Sequence, residues 1–341
     1  MHSKILARLT CAVLAVGAVT GLTASAAAAG TLQGAGSTLV APIEAEWAVA
    51  WANGTGLTTP TYQAVGSGTG LKNIGAGLVD FGASDAPISA STTPCNNCIQ
   101  IPWALSATGV AFNVPGVRKL RLTGPVLAGI YTGQITNWND RRITSLNKGV
   151  HFPNLTITPV HRSDGSGDSY AFTDYLSAVS SGFAHSVGRG TKPSFPVGPG
   201  ATGNSGMVSA TQATSGAIAY IAVSYLISHR MPAVAIRNQA GNYTFPNLRN
   251  IANAASIVHS VPANHELHIV NAPRRAKTAY PISTFTYVIV QGTDPLGNGG
   301  DLKSFISYAI TSGQAFGPRL DFVPLPKLIR QVDQATLSQI H

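Results

Sequence analysis

The stretch GAGSTL at residues 34–39 is followed by Pro42 and then by Ile43, Trp47 and Trp51. The three apolar residues stand four apart, which is the spacing of one face of a helix, and proline is well tolerated in a first helical turn. The stretch therefore predicts a glycine-rich loop that leads into the N-terminus of a helix.

The same design occurs twice more along the chain. GSGTG at 66–70 and DGSGD at 164–168 each precede apolar residues at helical spacing. Short apolar stretches of strand character lie between these segments, and two helical patterns close the chain. Strands that alternate with helices are typical of an α/β protein, here with mostly parallel sheets. The predicted strands include 79–82, 109–113, 155–160, 217–223 and 286–290, and the closing helices are 302–310 and 328–337.

The composition excludes several classes of protein. Of 341 residues, 22 are Lys or Arg and 13 are Asp or Glu, so 10% are charged, against about 25% in an ordinary globular domain. A hydrophobic content of 44% excludes disorder driven by low hydrophobicity and high charge. The formal charge of +9 reflects a scarcity of acids, and the bases form no run longer than a pair, which argues against a nucleic-acid partner. The length allows two domains.

Residues 1–29 have the features of a secretory signal peptide. Lys4 and Arg8 make a basic start, residues 9–22 are apolar, and residues 24–29 supply small side chains before a cleavage site expected between 26 and 30. Cys11 lies at the start of the apolar run, where it is badly placed for lipid attachment at a mature N-terminus. We therefore predict an exported protein, periplasmic or secreted, that is not a lipoprotein.

Cys95 and Cys98 remain after removal of that segment. In an exported chain two remaining thiols are most simply a disulfide, and the turn-rich sequence PCNNC suits a small closed loop. A thioredoxin-like redox site would need a helix after the CxxC, and a zinc site would need a second pair. His265 and His268 stand three apart, not four as in a zinc-protease helix, and are expected to be solvated loop residues. We expect no metal and no cofactor.

The three loops together predict an anion-binding site. A helix N-terminus presents unpaired backbone N–H groups and a partial positive charge, and glycine lets the backbone approach a ligand closely. Thr38, Ser67 and Ser166 supply hydroxyl donors, and Arg162 can present a bidentate fork that Asp164 supports. Capping alone also explains Ser and Gly at helix starts, so one loop by itself is weak support.

Carboxylates near these loops indicate which anion is bound. Asp80 and Asp85 flank one apolar stretch, and Asp164 and Asp168 flank the third loop. A carboxylate repels an anion unless the anion carries a proton that the carboxylate accepts. Phosphate keeps at least one proton near neutral pH and sulfate keeps none, so an Asp that faces the site selects phosphate. The alternative is that Asp85 caps a helix or turn before Pro87.

At these residues the sequence resembles the PstS-type phosphate-binding proteins of bacterial phosphate ABC transporters. The match extends from Gly34 to about Pro326. It rests on GAGST at 34–38, YQAVGSGTG at 62–70, VDFGASDAP at 79–87, HRSDGSGDS at 161–169, GNSGM at 203–207 and YPIS at 280–283. The resemblance implies that phosphate is held by Thr38, Leu39, Ser67, Asp85, Arg162, Ser166, Gly167 and Asp168.

Two of the implied ligands depart from one form of the family motif, which has Phe at the position of Leu39 and Thr at that of Asp168. Leu39 changes little if its backbone N–H is the donor. If Asp168 contacts phosphate, the ion must carry a second proton, which would favour the monobasic form. Otherwise Asp168 has a bracing role toward Arg162.

The resemblance also implies a periplasmic-binding-protein fold of type II, in which two α/β lobes joined by two crossing strands close on the ligand like a hinge. With crossings near Ala104 and Ile282, residues 30–104 and 283–341 would form one lobe and 105–282 the other. The implied function is high-affinity binding of inorganic phosphate between the lobes. A monomer that is not an enzyme would then deliver phosphate to a membrane ABC permease, with its ATPase, for import.

Two alternatives remain open. A secreted serine hydrolase would use Ser166 or Ser169 with His161 as the base, although Gly165-Ser166-Gly167 falls short of the GxSxG motif and no partner for His161 is identifiable. An extracellular scavenger of another oxyanion would use the same fold.

Overall fold

The computed structural model describes residues 30–88 and 95–341, so the predicted signal peptide lies outside the described residues. The strands are β1 (Gln33–Gly36), β2 (Thr61–Gln63), β3 (Phe81–Ser84), β4 (Cys98–Asn113), β5 (Leu120–Leu122), β6 (Thr158–Arg162), β7 (Gly200–Ala201), β8 (Ala217–Ala222), β9 (Val234–Arg237), β10 (Tyr243–Thr244) and β11 (Ser283–Gln291). The α-helices are α1 (Ala41–Thr55), α2 (Ser67–Gly75), α3 (Gly124–Tyr131), α4 (Arg141–Thr144), α5 (Gly167–Val179), α6 (Ser181–Ser186), α7 (Gly203–Ala213), α8 (Val223–Ser228), α9 (Leu248–Ala255), α10 (Gly299–Ile310) and α11 (Lys327–Thr336). Two 3-10 helices span Ser312–Leu320 and Leu337–Gln339.

A long sheet runs through the whole molecule in the order β2-β1-β3-β11-β4-β8-β6-β7. Strand β4 joins its two halves, because residues 98–107 pair with β11 and residues 108–113 pair with β8. We call the half built on β1, β2, β3 and β11 the first lobe, and the half built on β6, β7 and β8 the second lobe. A small sheet in the order β10-β9-β5 completes the fold.

The prediction of mostly parallel sheets is wrong for the strands that connect the lobes. In the first lobe β1 pairs in parallel with β2 and β3, and in the second lobe β6 pairs in parallel with β7 and β8. Strand β4 is antiparallel to both β11 and β8, and β11 is antiparallel to β3. A chain that leaves a lobe and later returns to it must run its two connecting strands in opposite directions.

Each lobe has its own cluster of buried aromatic side chains. In the first lobe Trp47 of α1 packs against Trp103 of β4, with ring centroids 5.2 Å apart. In the second lobe Phe172 of α5 lies between Tyr131 and Tyr220, with centroid separations of 4.7 and 4.4 Å. Burial of such rings is a main source of stability, and both aromatic clusters belong to one continuous hydrophobic core that spans the lobes.

The loop-to-helix junctions form as predicted. Helix α1 starts just after the first loop, with Pro42 in its first turn. Helix α2 begins at Ser67, so the second loop itself supplies the first turn. Helix α5 begins after Ser166, whose hydroxyl oxygen caps it by accepting from the N–H of Ser169 at 3.3 Å. The two closing helices are present as α10 and α11.

The predicted disulfide is confirmed, with the Cα atoms of Cys95 and Cys98 5.3 Å apart. His265, by contrast, is buried and not solvated, because its Nδ1 lies 3.3 Å from Oδ1 of Asp333. His268 is exposed and pairs with Asp174 at 2.7 Å. None of the helices in 30–88 and 95–341 combines the length and apolar character needed to cross a membrane.

Candidate anion-binding site

The three glycine-rich loops meet where the two lobes contact each other. The N–H of Gly66 donates to the carbonyl of Gly36 within the first lobe at 2.8 Å. The N–H of Gly68 donates across to the carbonyl of Gly165 in the second lobe at 3.0 Å. Glycine is required at this contact, since a Cβ on Gly167 would lie 2.4 Å from the Cβ of Asp85. Loop residues that are far apart in the chain thus meet at one buried contact.

Asp85 follows β3 and is held as a hydrogen-bond acceptor. The Ser37 hydroxyl donates to its carboxylate, with the oxygen 2.6 Å from Oδ1 and 2.7 Å from Oδ2. The hydroxyl of Thr286 on β11 donates to Oδ1 at 2.7 Å. Asp85 is only 2% exposed, so its position is determined by these two donors. Among the described residues, no backbone N–H donates to this carboxylate, so the alternative of a cap before Pro87 has no such bond in its support.

Arg162 ends β6 and is anchored by the loop that follows it. Its Nε donates to Oδ1 of Asp164 at 2.7 Å, and its Nη2 donates to Oδ2 of the same carboxylate. Its backbone N–H donates to the Tyr220 hydroxyl at 2.9 Å. Burial opposes both shifts, but the ion pair outweighs it, so the pKa of the Arg162 guanidinium is raised and that of the Asp164 carboxyl is lowered. The remaining nitrogen, Nη1, faces the other lobe.

Asp168, in the first turn of α5, accepts three hydrogen bonds. The Thr108 hydroxyl donates to Oδ1 at 2.7 Å, while the Asn204 amide and Arg162 Nη1 donate to Oδ2 at 2.8 and 3.3 Å. Both carboxylate oxygens are therefore engaged within the second lobe. This geometry favours the bracing role toward Arg162 over the need for a second phosphate proton.

Thr38 and Ser67 connect the lobes directly. The Thr38 hydroxyl oxygen accepts from the Asn204 amide at 2.8 Å and lies 3.4 Å from Arg162 Nη1. The Ser67 hydroxyl oxygen accepts from the N–H of Gly167 at 3.1 Å and from that of Asp85 at 3.3 Å. With the lobes in contact, each of these hydroxyl oxygens accepts from a donor of the opposite lobe. An oxyanion that enters the site must therefore take over these donors.

The site holds two buried carboxylates and one guanidinium, and the pKa values of both carboxylates are raised. Burial, and secondarily the charge of Asp168, raises the pKa of Asp85 to about 7, against the opposing effects of Ser37, Thr286 and Arg162. Burial also raises the pKa of Asp168. An ionised oxyanion without a proton would add a third negative charge here, whereas a protonated one supplies the donor that a carboxylate needs.

The serine residues of this region lack the contacts of a nucleophile. The Ser166 hydroxyl caps α5, and the Ser169 hydroxyl lies 2.7 Å from that of Tyr220. The ring of His161 stacks on Phe195, and its nitrogens lie near the carbonyls of residues 162 and 198. Among the described residues no hydrogen bond joins this histidine to either serine.

All eight predicted ligands are buried around this contact between the lobes. Sequence reasoning missed four further residues. Ser37 and Asn204 lie inside the quoted motifs, so the motifs could have indicated them. Thr108 and Thr286 lie on β4 and β11 without a local signal, because only the packing of strands against loops brings their hydroxyls to the carboxylates. The N–H of Leu39 donates to the Ser37 hydroxyl at 3.0 Å.

Comparison with known proteins gives a consistent result. A family model described as a PBP superfamily domain matches residues 22–312. The phosphate-binding protein PstS of Xylella fastidiosa (strain 9a5c) is 35% identical over 313 residues, covering 90% of this chain and 85% of that protein. The phosphate-binding protein PstS of Pasteurella multocida (strain Pm70) is 32% identical over 308 residues, covering 89% of each.

A solved structure of a high affinity periplasmic phosphate-binding protein (PfluDING), bound with phosphate, is similar in fold. It aligns with a TM-score of 0.70 at 20% identity and covers 90% of this chain and 94% of that chain. At this identity the likeness concerns the fold alone, and it agrees with the predicted two-lobed α/β architecture.

Proposed function

This chain belongs to the PBP superfamily and, within it, to the PstS phosphate-binding proteins, and on that premise we propose that it binds inorganic phosphate between its two lobes. It holds phosphate with high affinity and delivers it to a membrane ABC permease for import. The family resemblance predicted from the motifs is thereby confirmed.

The observation that carries this proposal is the presence of both Asp85 and Arg162 at the same buried contact between the lobes. The guanidinium, with one nitrogen free of Asp164, supplies positive charge for an oxyanion. The carboxylate of Asp85 has two hydroxyl donors and lies at the same contact. Arginine supports any oxyanion, whereas a carboxylate acceptor supports only one that carries a proton. Their combination fits phosphate better than sulfate.

We assign the ligand set as the sequence predicts it, with Asp164 in support of Arg162. The first lobe contributes backbone and hydroxyl donors together with the acceptor. The second lobe contributes the guanidinium and the N-terminus of α5. The proposed ligands are Thr38, Leu39, Ser67, Asp85, Arg162, Ser166, Gly167 and Asp168.

Thermal unfolding in the presence of phosphate, arsenate and sulfate tests the function. A ligand that binds only the native state raises its stability by RT ln(1 + [L]/Kd). We expect phosphate and arsenate to raise the melting temperature and sulfate to have little effect at the same concentration. Equal stabilisation by sulfate would refute the assignment to phosphate.

We propose a cellular setting to match. The protein is exported, is not a lipoprotein, and acts as a monomer that presents its closed form to the permease and its ATPase. In this proposal residues 30–104 and 283–341 form the first lobe and 105–282 the second. Light scattering after gel filtration tests the monomer, and fractionation of cells without detergent tests export without a lipid anchor.

We infer no catalytic role. The relatives are named as binding proteins, and the contacts of Ser166, Ser169 and His161 favour capping and packing over nucleophilic attack. Covalent labelling of either serine by a fluorophosphonate would revive the hydrolase alternative.

A further inference from the structure

Both site carboxylates are hydrogen-bonded by a threonine on a strand that connects the lobes. The Thr286 hydroxyl on β11 donates to Asp85, and the Thr108 hydroxyl on β4 donates to Asp168, each at 2.7 Å. Both threonines are fully buried. Among the described residues, neither hydroxyl makes another hydrogen bond, so each is committed to its carboxylate.

Strand pairing places the two threonines beside the carboxylates. Strand β11 pairs Tyr287 with Ser84 of β3, which brings Thr286 opposite Asp85 at the next position. The register of β11 on β4 shifts between Thr286 and Tyr287, and a bulge of this kind redirects a side chain beside a functional site. Thr108 is the first residue of β4 that pairs with β8 instead of β11.

Every side-chain donor to a carboxylate comes from the carboxylate's own lobe. Asp85 accepts from Ser37 and Thr286, which belong to the first lobe. Asp168 accepts from Thr108, Asn204 and Arg162, which belong to the second. At the site, the bonds that cross between the lobes end instead on Thr38 and Ser67 and on the loop glycines. Opening of the lobes therefore leaves the donors of both carboxylates in place.

We propose that Thr108 and Thr286 are positioning residues that hold the two site carboxylates as ionised acceptors in each lobe before the lobes close. A buried carboxylate is costly to ionise, and a hydrogen bond to the charged form lowers that cost. The anion then meets a preformed acceptor, and discrimination between phosphate and sulfate does not depend on closure. The expected effect on binding rests on the proposed function, whereas the placement of the carboxylates does not.

The experiment measures the pKa of each carboxylate in the ligand-free protein by carboxyl-carbon NMR titration. Thr286→Val should raise the pKa of Asp85, and Thr108→Val that of Asp168, each by roughly one unit, because a bond to a charged group is lost. Thr286→Ser should restore the wild-type value. The charged and titratable groups that face the pair are Arg162, Asp164, Tyr62, Tyr220 and Tyr225, and the same titration follows the carboxyl of Asp164.

Thr284→Val is the matched control. Thr284 lies two residues away on β11, and its hydroxyl donates to the backbone carbonyls of residues 85 and 285 instead of to a carboxylate. This variant should leave the pKa of Asp85 unchanged. If Thr286→Val and Thr284→Val have the same effect on that pKa, the positioning role is refuted. Thr108→Val gives an independent result on another strand if Thr286→Val does not fold.

Binding measurements separate this proposal from the proposed function. Thr286→Val should lower the ratio of phosphate to sulfate affinity roughly tenfold at neutral pH, since a neutral Asp85 no longer rejects sulfate. An unchanged ratio would overturn the role in selectivity. A wild-type protein that does not prefer phosphate would refute the proposed function, while the NMR shifts would still support the positioning of the carboxylates.

Discussion

The side-chain amide of Asn204 in the second lobe donates to the hydroxyl oxygen of Thr38 in the first lobe at 2.8 Å. The same nitrogen lies 2.8 Å from Oδ2 of Asp168, and the Asn204 carbonyl oxygen accepts from the N–H of Ala222 at 2.8 Å. Asn204 is therefore fixed to its own lobe by two hydrogen bonds and bonds to the other lobe through Thr38. It stabilises the closed form.

Replacing Asn204 should loosen closure. In Asn204→Ala the bond to Thr38 is lost, and we expect phosphate to dissociate roughly tenfold faster, with a smaller change in the association rate. Stopped-flow fluorescence with a labelled protein measures both rates. Asn242→Ala removes an exposed amide that bonds to the carbonyl of Lys277, and it should behave as wild type. Equal dissociation rates in the two variants would remove Asn204 from the closure mechanism.

Neutralising Asp85 should relax selectivity. Asp85→Asn replaces an acceptor-only group by one that also donates, so phosphate binding should weaken by roughly tenfold or more while sulfate binding improves. Isothermal titration with each ion measures the ratio of affinities. A ratio equal to that of wild type would show that Asp85 does not discriminate between the two ions.

Removing the guanidinium should weaken binding of every oxyanion. Arg162→Ala deletes a charge-assisted donor and leaves Asp164 and Asp168 without their cation. We expect phosphate affinity to fall by roughly a hundredfold, since a hydrogen bond from a charged donor is worth more than a neutral one. Arg142→Ala, which breaks an exposed ion pair with Asp140, is the control. Retained affinity in Arg162→Ala would place the anion elsewhere.

Glu44 should make the stability of the ligand-free protein depend on pH. This side chain is 2% exposed on α1, and its Oε1 has no hydrogen-bond partner among the described residues. Burial raises its pKa from 4.5 to about 8, so the native state binds a proton that the unfolded chain releases above its own pKa. The free energy of unfolding therefore falls as pH rises through this range.

The test compares Glu44→Gln with wild type across that range. The glutamine variant has no proton to lose, so it should equal wild type near pH 5 and exceed it by a few kcal/mol near pH 8. Glu46→Gln alters only an exposed ion pair with Arg319 and should change stability little at any pH. Urea unfolding at several pH values measures the differences. Parallel curves for Glu44→Gln and wild type would contradict the buried, protonated state.

Local patterns predicted the features that depend on neighbouring residues. The spacing of Ile43, Trp47 and Trp51 predicted α1, and the two cysteines of PCNNC predicted the disulfide, since both depend on a few adjacent positions. The antiparallel course of β4 and β11 was missed, because a strand's direction relative to a distant partner leaves no mark in its own sequence. The burial of His265 was missed for the same reason, since Asp333 is 68 residues away.

The sequence by itself determined the family, the two-lobed α/β class and the loops that supply anion donors, because glycine-rich loops before helices and their flanking acids are local and specific. Only the tertiary structure decided which hydroxyl groups donate to the carboxylates of Asp85 and Asp168. Thr286 lies 201 residues from Asp85, and Thr108 lies 60 residues from Asp168, and strand pairing brings each hydroxyl to its carboxylate. The ionisation of a buried carboxylate depends on the donors within hydrogen-bond distance, and chain folding alone determines which donors those are.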